Sequence, residues 1–168
     1  MNDLTHDPDL LARLRDDLAS AGYTVAGVDE LLGPLASAAL HREEPVPARR
    51  ATSPSGPTGA DPRSTLVRAF VLGCAVTRRA LEAALPRVGT AGAERLGLVV
   101  AAGAEPDDAV GAAVDLRPYA MSDGSDGSDG ADGSGAVDWW IASDLGELAT
   151  GRSLRTDHVL GVGGASTT

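Results

Sequence analysis

A chain of 168 residues carrying a net charge of −10 is long enough for one ordinary domain, and too acidic for its whole surface to be a nucleic-acid footprint. One cysteine, Cys74, excludes an internal disulfide and a cysteine metal cluster, and no apolar run approaches the roughly 20 residues of a membrane span. The stretch from Met1 to Asp9 is polar and acidic, unlike a signal peptide, so the cytoplasm is the expected compartment.

Asp7-Pro8 opens a first helix, with Asp as cap and Pro in the first turn, and Leu10, Leu11, Leu14 and Leu18 make its apolar face before Gly22 ends it. Thr24 caps a second helix that turns Val25, Val28, Leu31 and Leu32 inward and stops at Gly33. Pro34 starts a third, carrying Leu35, Ala38, Ala39 and Leu40. Residues 1–42 are therefore read as a three-helix unit. Residues 43–60 are rich in Pro, Ser, Gly and Arg without periodicity, the composition of a linker or long surface loop.

Asp61-Pro62 repeats the capping device and opens a helix with Leu66, Val67, Phe70 and Val71 on one face, ending near Gly73. After the short Cys74-Ala-Val76 segment, Thr77 caps a helix bearing Leu81, Ala84 and Leu85, which Pro86 closes. Thr90 is expected to cap one more, ending at Leu96-Gly97. The period then changes. Strands are expected over 98–102, over 110–116 and over 137–142, the second alternating as Val110, Ala112, Val114 and Leu116. Three helices leading into a β-hairpin is the order of a winged helix-turn-helix, so the expected fold is α+β: a three-helix unit followed by a winged-helix-like domain over 61–142 with a short antiparallel sheet. Within it, residues 121–135 hold a repeated Asp-Gly tract. Calcium ligation would need a Glu at the twelfth loop position and flanking helices, so the tract reads as a disordered hairpin insertion.

Chemistry-bearing residues are sparse. Asp144, Glu147, Asp157 and His158 form one acid–base group, but no nucleophile or metal spacing accompanies them, and they read as caps and solvated charges. The Gly161-Val-Gly-Gly-Ala-Ser-Thr167 run has the glycines of a phosphate loop without its lysine, since the chain contains no Lys. Residues 42–95 carry nine arginines against five carboxylates. Of these, Arg78, Arg79, Arg87 and Arg95 lie on or beside the helix-turn-helix, where they would touch the phosphates of a nucleic acid or form solvated helix faces, with Arg78 and Glu82 paired at i,i+4. Trp139 and Trp140 are adjacent on a strand and must point to opposite faces, one into the core and one outward.

Four C-terminal stretches, read together, carry a resemblance: Asp115-Leu-Arg-Pro-Tyr119, Asp138-Trp-Trp140, Ser143-Asp-Leu-Gly-Glu-Leu148, and Asp157-His-Val-Leu-Gly-Val-Gly-Gly-Ala-Ser-Thr167. With Tyr23-Thr-Val-Ala-Gly-Val-Asp-Glu-Leu-Leu-Gly33 and Ala38-Ala-Leu-His-Arg-Glu43, the chain resembles the N-terminal region of actinobacterial class I S-adenosylmethionine-dependent methyltransferases of the Asn-Pro-Pro-Phe type. The resemblance implies a doubly wound catalytic domain after the Gly-Gly-Ala-Ser segment, with an acidic-Gly-x-Gly-x-Gly-like cofactor loop and an Asn-Pro-Pro-Phe-like motif for methylating planar nitrogens. Neither motif occurs in these residues, so this part alone is expected to be inactive and to hold no cofactor. By analogy Ser166 and Thr167 would approach S-adenosylmethionine only beside the catalytic domain, with 143–168 as the connection to it. The implied role is substrate recognition for N-methylation of RNA or protein, with Arg78, Arg79, Arg87 and Arg95 as candidate contacts and no membrane partner. The alternatives are a freestanding winged-helix module that binds nucleic acid or protein, and a truncated product without function.

Overall fold

The computed structural model describes residues 6–56, 61–122 and 136–150. The chain runs through helices α1 (Pro8–Ser20), α2 (Val25–His41), α3 (Pro45–Ala51) and α4 (Pro62–Leu66), the last continuing into a π-helical turn, Val67–Val71. Strand β1 (Val76–Thr77), helices α5 (Arg78–Ala84) and α6 (Gly89–Arg95), and strands β2 (Val99–Ala101) and β3 (Ala109–Ala112) come next. Strands β4 (Asp115–Ser122) and β5 (Ala136–Ser143) and a single turn of helix α7 (Glu147–Thr150) complete the order. The fold is α+β. No helix among the described residues is long and apolar enough to cross a membrane.

Local chemistry fixes most helix starts. The Asp7 carboxylate accepts from Leu10 N at 3.1 Å, Thr24 Oγ1 from Gly27 N at 3.0 Å, Asp61 from Arg63 N at 2.8 Å and Thr77 Oγ1 from Ala80 N at 3.2 Å. Each satisfies a donor that the first helical turn leaves open. Gly33 breaks α2 with φ 68° and ψ 169°, a conformation that side-chain-bearing residues rarely adopt, and Pro34 restarts the helix after it. The expected second and third helices are thus the two arms of one kinked element.

Thr90 does not cap. Helix α6 begins one residue earlier, at Gly89, with no side-chain cap, and Thr90 Oγ1 is buried without a hydrogen-bond partner among the described residues. Gly89, at φ 64°, follows directly from the turn after α5, and this turn rather than a cap sets where α6 starts. A second difference lies in residues 43–60, which are not a featureless linker. Pro45–Ala51 is helical, Ala48 is fully buried against α2, and the buried Thr52 Oγ1 donates to Ala48 O at 2.8 Å. A methyl-sized side chain lets the two helices approach closely, and packing rather than propensity holds α3. Residues 57–60 lie outside the described part.

In the winged unit the order is helix, strand, helix, helix, strand, strand, and the antiparallel sheet is arranged β1-β3-β2. Val76 pairs with Val110, and Val99 with Ala112. The segment 102–108 between β2 and β3 is the wing. The strand expected over 110–116 is in fact two. After Ala112 the chain leaves this sheet, and β4 pairs instead with β5 in a separate hairpin, Pro118 opposite Trp140 and Tyr119 opposite Trp139. Val110, Val114 and Leu116 are all buried, while Ala112 is half-buried and Asp115 is buried as well, so the alternation expected over 110–116 is kept only in part. Of the Asp-Gly tract expected as an insertion, residues 123–135 lie outside the described part.

One core joins these pieces. Leu10, Leu14 and Leu18 of α1, Leu32 and Ala36 of α2, and Leu66, Val67 and Phe70 belong to the same buried cluster as Leu81, Leu85, Leu96, Val99, Val110 and Leu116. The N-terminal helices therefore close the winged unit's own core, and are not a separately packed body.

Candidate functional site

The helix-turn-helix α5–α6 and its wing carry the four arginines that sequence places there. Arg78, first residue of α5, has a largely buried side chain, 15% exposed. Its Nε and Nη2 donate to Gly103 O at 3.1 and 2.8 Å, and Nη1 donates to Glu82 Oε1 at 3.3 Å. Glu94 Oε2 lies 3.8 Å away. The i,i+4 pair read from sequence is present, but most of the guanidinium serves the wing: it fastens the strand end at Gly103 to the start of α5. Backbone donors reinforce that fastening, Arg78 N to Asp108 O and Arg79 N to Pro106 O, both at 2.9 Å.

Arg79 is exposed and its Nη2 meets Asp107 Oδ1 at 3.0 Å across the wing. Arg95, exposed on α6, donates through Nη2 to Asp7 Oδ2 at 3.0 Å, tying α6 to the cap of α1. Arg87 lies in the turn between the two helices and pairs with Asp17 Oδ1 at 3.1 Å. The four arginines are thus spread over three places and do not form one basic cluster. Between β1 and β3 they stand beside five carboxylates, Glu82, Glu94, Glu105, Asp107 and Asp108, three of them on the wing. A wing that contacts phosphates would carry the opposite sign.

Asp17 was invisible as a site residue and is the most constrained acid of this surface. Its carboxylate is buried, and accepts from Arg87 N at 3.2 and 2.9 Å and from Val88 N at 2.9 Å as well as from Arg87 Nη1. It therefore fixes the turn of the helix-turn-helix from the last turn of α1. A signal existed: Asp17 falls on the apolar stripe Leu10, Leu14, Leu18, where an acid requires a partner.

A second node joins the N-terminal helices to the hairpin. Tyr23, fully buried after Gly22, donates its hydroxyl to Leu116 O at 2.8 Å, while Trp140 Nε1 donates to Tyr23 O at 2.7 Å. Burial, with the negative charge of Asp115 adding to it, raises the Tyr23 hydroxyl far above its ordinary value, so it stays a donor. Beside it Arg117 holds Asp115, Nε to Oδ1 at 2.8 Å; burial alone would lower the guanidinium, but the Asp115 contact raises it. Trp140 packs on the core, whereas Trp139 is 54% exposed, so the two tryptophans divide between core and surface as their alternation requires.

Of the acid–base group, Asp144 follows β5 and Glu147 opens α7, while Asp157 and His158 lie outside the described residues. Ser166, Thr167 and the glycines from Gly161 to Gly164 lie outside them too. Every strand pair among the described residues is antiparallel.

No curated protein and no solved structure matches the chain. A family model covers residues 20–113, from the end of α1 through α2, α3 and the complete three-stranded winged unit, stopping just before the β4–β5 hairpin. That match spans more than half of the sequence, and the chain belongs to the family described as "Domain of unknown function (DUF7059)".

Proposed function

We propose that this chain is the substrate-recognition part of a class I S-adenosylmethionine-dependent methyltransferase that methylates nitrogen in a protein or RNA. The observation that carries the reading is where the resembling segments fall. Tyr23, the first residue of one segment, bonds to Leu116 of a second and accepts from Trp140 of a third. Segments separated by more than ninety positions thus meet in one packed node, which supports reading them together. A rigid node of this kind can hold a large substrate in register for chemistry performed by a catalytic domain, which lowers the entropic part of the barrier.

Between the two substrate classes, the charge pattern favours protein. Three wing carboxylates and four arginines already facing carboxylates are poorly disposed to a polyanion. The exposed Trp139 supplies a rigid aromatic contact of the kind that anchors protein partners. The cofactor and the reacting centre belong to the catalytic domain, S-adenosylmethionine supplying the methyl group there.

The test joins this chain to a class I methyltransferase domain encoded in the same or the adjacent reading frame, and follows labelled methyl from S-adenosylmethionine into cell protein and RNA. Label in protein, reduced by Trp139→Ala, is the expected result. Label in RNA would reverse the substrate assignment. A chain that binds nucleic acid alone, with affinity falling steeply in salt and no dependence on a methyltransferase domain, would establish the freestanding regulator instead.

A further inference from the structure

A cleft of about 250 Å³ opens between the end of α3, the α4–π-helical segment, and the β1–α5 start with the wing. Its walls include Thr52 and Pro54, Ser64, Thr65 and Arg68, and Val76, Thr77 and Ala80. Two of these residues hold polar atoms that the fold leaves without a hydrogen bond. Ser64 is 1% exposed and its Oγ is unpartnered; Arg68 Nε is buried and unpartnered as well. No carboxylate among the described residues pairs with Arg68, although the arginines at 63, 78, 79, 87 and 95 each have one. Asp107 at the rim is engaged by Arg79 at 3.0 Å.

Leaving a charged donor and a hydroxyl buried and unpaired costs stability, and two such groups lining one cleft call for a partner that completes them. The backbone at this place is also irregular. Arg68 lies in the π-helical turn, where Leu72 N bonds to Val67 O and Cys74 N to Arg68 O, in place of regular helical spacing. Turns of this type recur at functional sites because they displace a side chain from the helical register.

We infer that this cleft binds a small carboxylate with a short apolar stem. A planar carboxylate accepts two parallel bonds from the Nε–Nη edge of a guanidinium, and Nε is the buried atom without a partner. One arginine and one hydroxyl match a single negative charge better than a phosphate dianion. Val76, Ala80, Ala109 and Pro54 give the stem apolar contact. The cleft volume is ample for a stem of a few carbons.

The test is thermal unfolding of the whole chain with isovalerate, its neutral amide, or inorganic phosphate, each titrated at constant ionic strength. Isovalerate should raise the melting temperature saturably, and the amide and phosphate should not. Arg68→Met should weaken isovalerate binding at least about tenfold, as loss of a charge-assisted pair requires, while melting at or above wild type without ligand. Ser64→Ala should weaken binding less. Arg68→Lys, which keeps charge but loses the forked edge, should bind as poorly as Arg68→Met and serves if the Met variant is unstable. Equal shifts for the amide or phosphate, undiminished binding by both Arg68 variants, or no shift with isovalerate would each overturn the assignment.

Discussion

Removing the Asp17 carboxylate should loosen the helix-turn-helix without touching either of its helices. In Asp17→Ala the backbone donors of Arg87 and Val88 lose their acceptor, and Val88 is buried, so water reaches its N–H poorly. Each stranded donor costs about 1–3 kcal/mol, more where the lost acceptor was charged. The Arg87 guanidinium is half exposed, so its ion pair adds at most about 1 kcal/mol. Release of a buried charge offsets part of this, and the net expectation is a loss of about 3 kcal/mol. For a chain of this size that lowers the melting temperature by roughly 6–12 °C. Asp17→Asn keeps one acceptor oxygen but turns an amide N–H toward a backbone N–H, and should fall between wild type and alanine. Asp16→Ala, exposed on the same helix, should stay within about 0.5 kcal/mol. Urea unfolding followed by fluorescence of Trp139 and Trp140 measures all three. An Asp17→Ala protein within about 0.5 kcal/mol of wild type, at unchanged denaturant slope, would refute the idea that this carboxylate holds the turn.

Tyr23→Phe removes the bond to Leu116 O and should cost about 1 kcal/mol in the same assay. Because burial raises the Tyr23 hydroxyl, the stability it contributes is complete below the ordinary tyrosine value of about 10 and is lost as pH rises beyond it, so its phenolate absorbance should appear only with unfolding. At the acid end, burial pushes the Asp61 carboxyl up but hydrogen bonds from Arg63 outweigh it and hold the carboxyl below its ordinary value. Its contribution is therefore present above about pH 4 and lost as pH falls through the lowered value; Asp61→Asn should flatten that acid limb of the stability curve, and an unchanged limb would exclude the pair as its source. Gly73→Ala should free α7: at φ 60° a Cβ is strained by about 1–2 kcal/mol. That Cβ would also lie 2.6 Å from Ala149 Cβ. Faster limited proteolysis near Ala149 is the expected readout.

Where a side chain acts on its own backbone the sequence by itself mostly determined the outcome, Thr90 being the exception. Asp7, Thr24, Asp61 and Thr77 cap their helices within three residues, and Gly33-Pro34 breaks α2 in place. The alternation of Trp139 and Trp140 across two faces follows in the same way from strand geometry. Such contacts span a single turn or pleat, so residue type and spacing suffice to locate them. Tertiary structure decided the rest. Two prolines and two arginines around a single buried Ala48 give α3 no periodicity to read, and it exists because α2 covers that methyl group. The strand over 110–116 divides between two sheets, and Leu116 O meets Tyr23, 93 positions away, while Val110, Val114 and Leu116 all stay buried. The arginines divide in the same manner. Their number and place in the helix-turn-helix were legible, but which carboxylate each meets depends on α1, the wing and the turn. Arg68 appeared as one basic residue within an apolar run and became a candidate ligand only when packing left its Nε without a partner. Long-range pairing is set by the whole core, and a buried polar group shows its cost only after the fold has fixed what surrounds it.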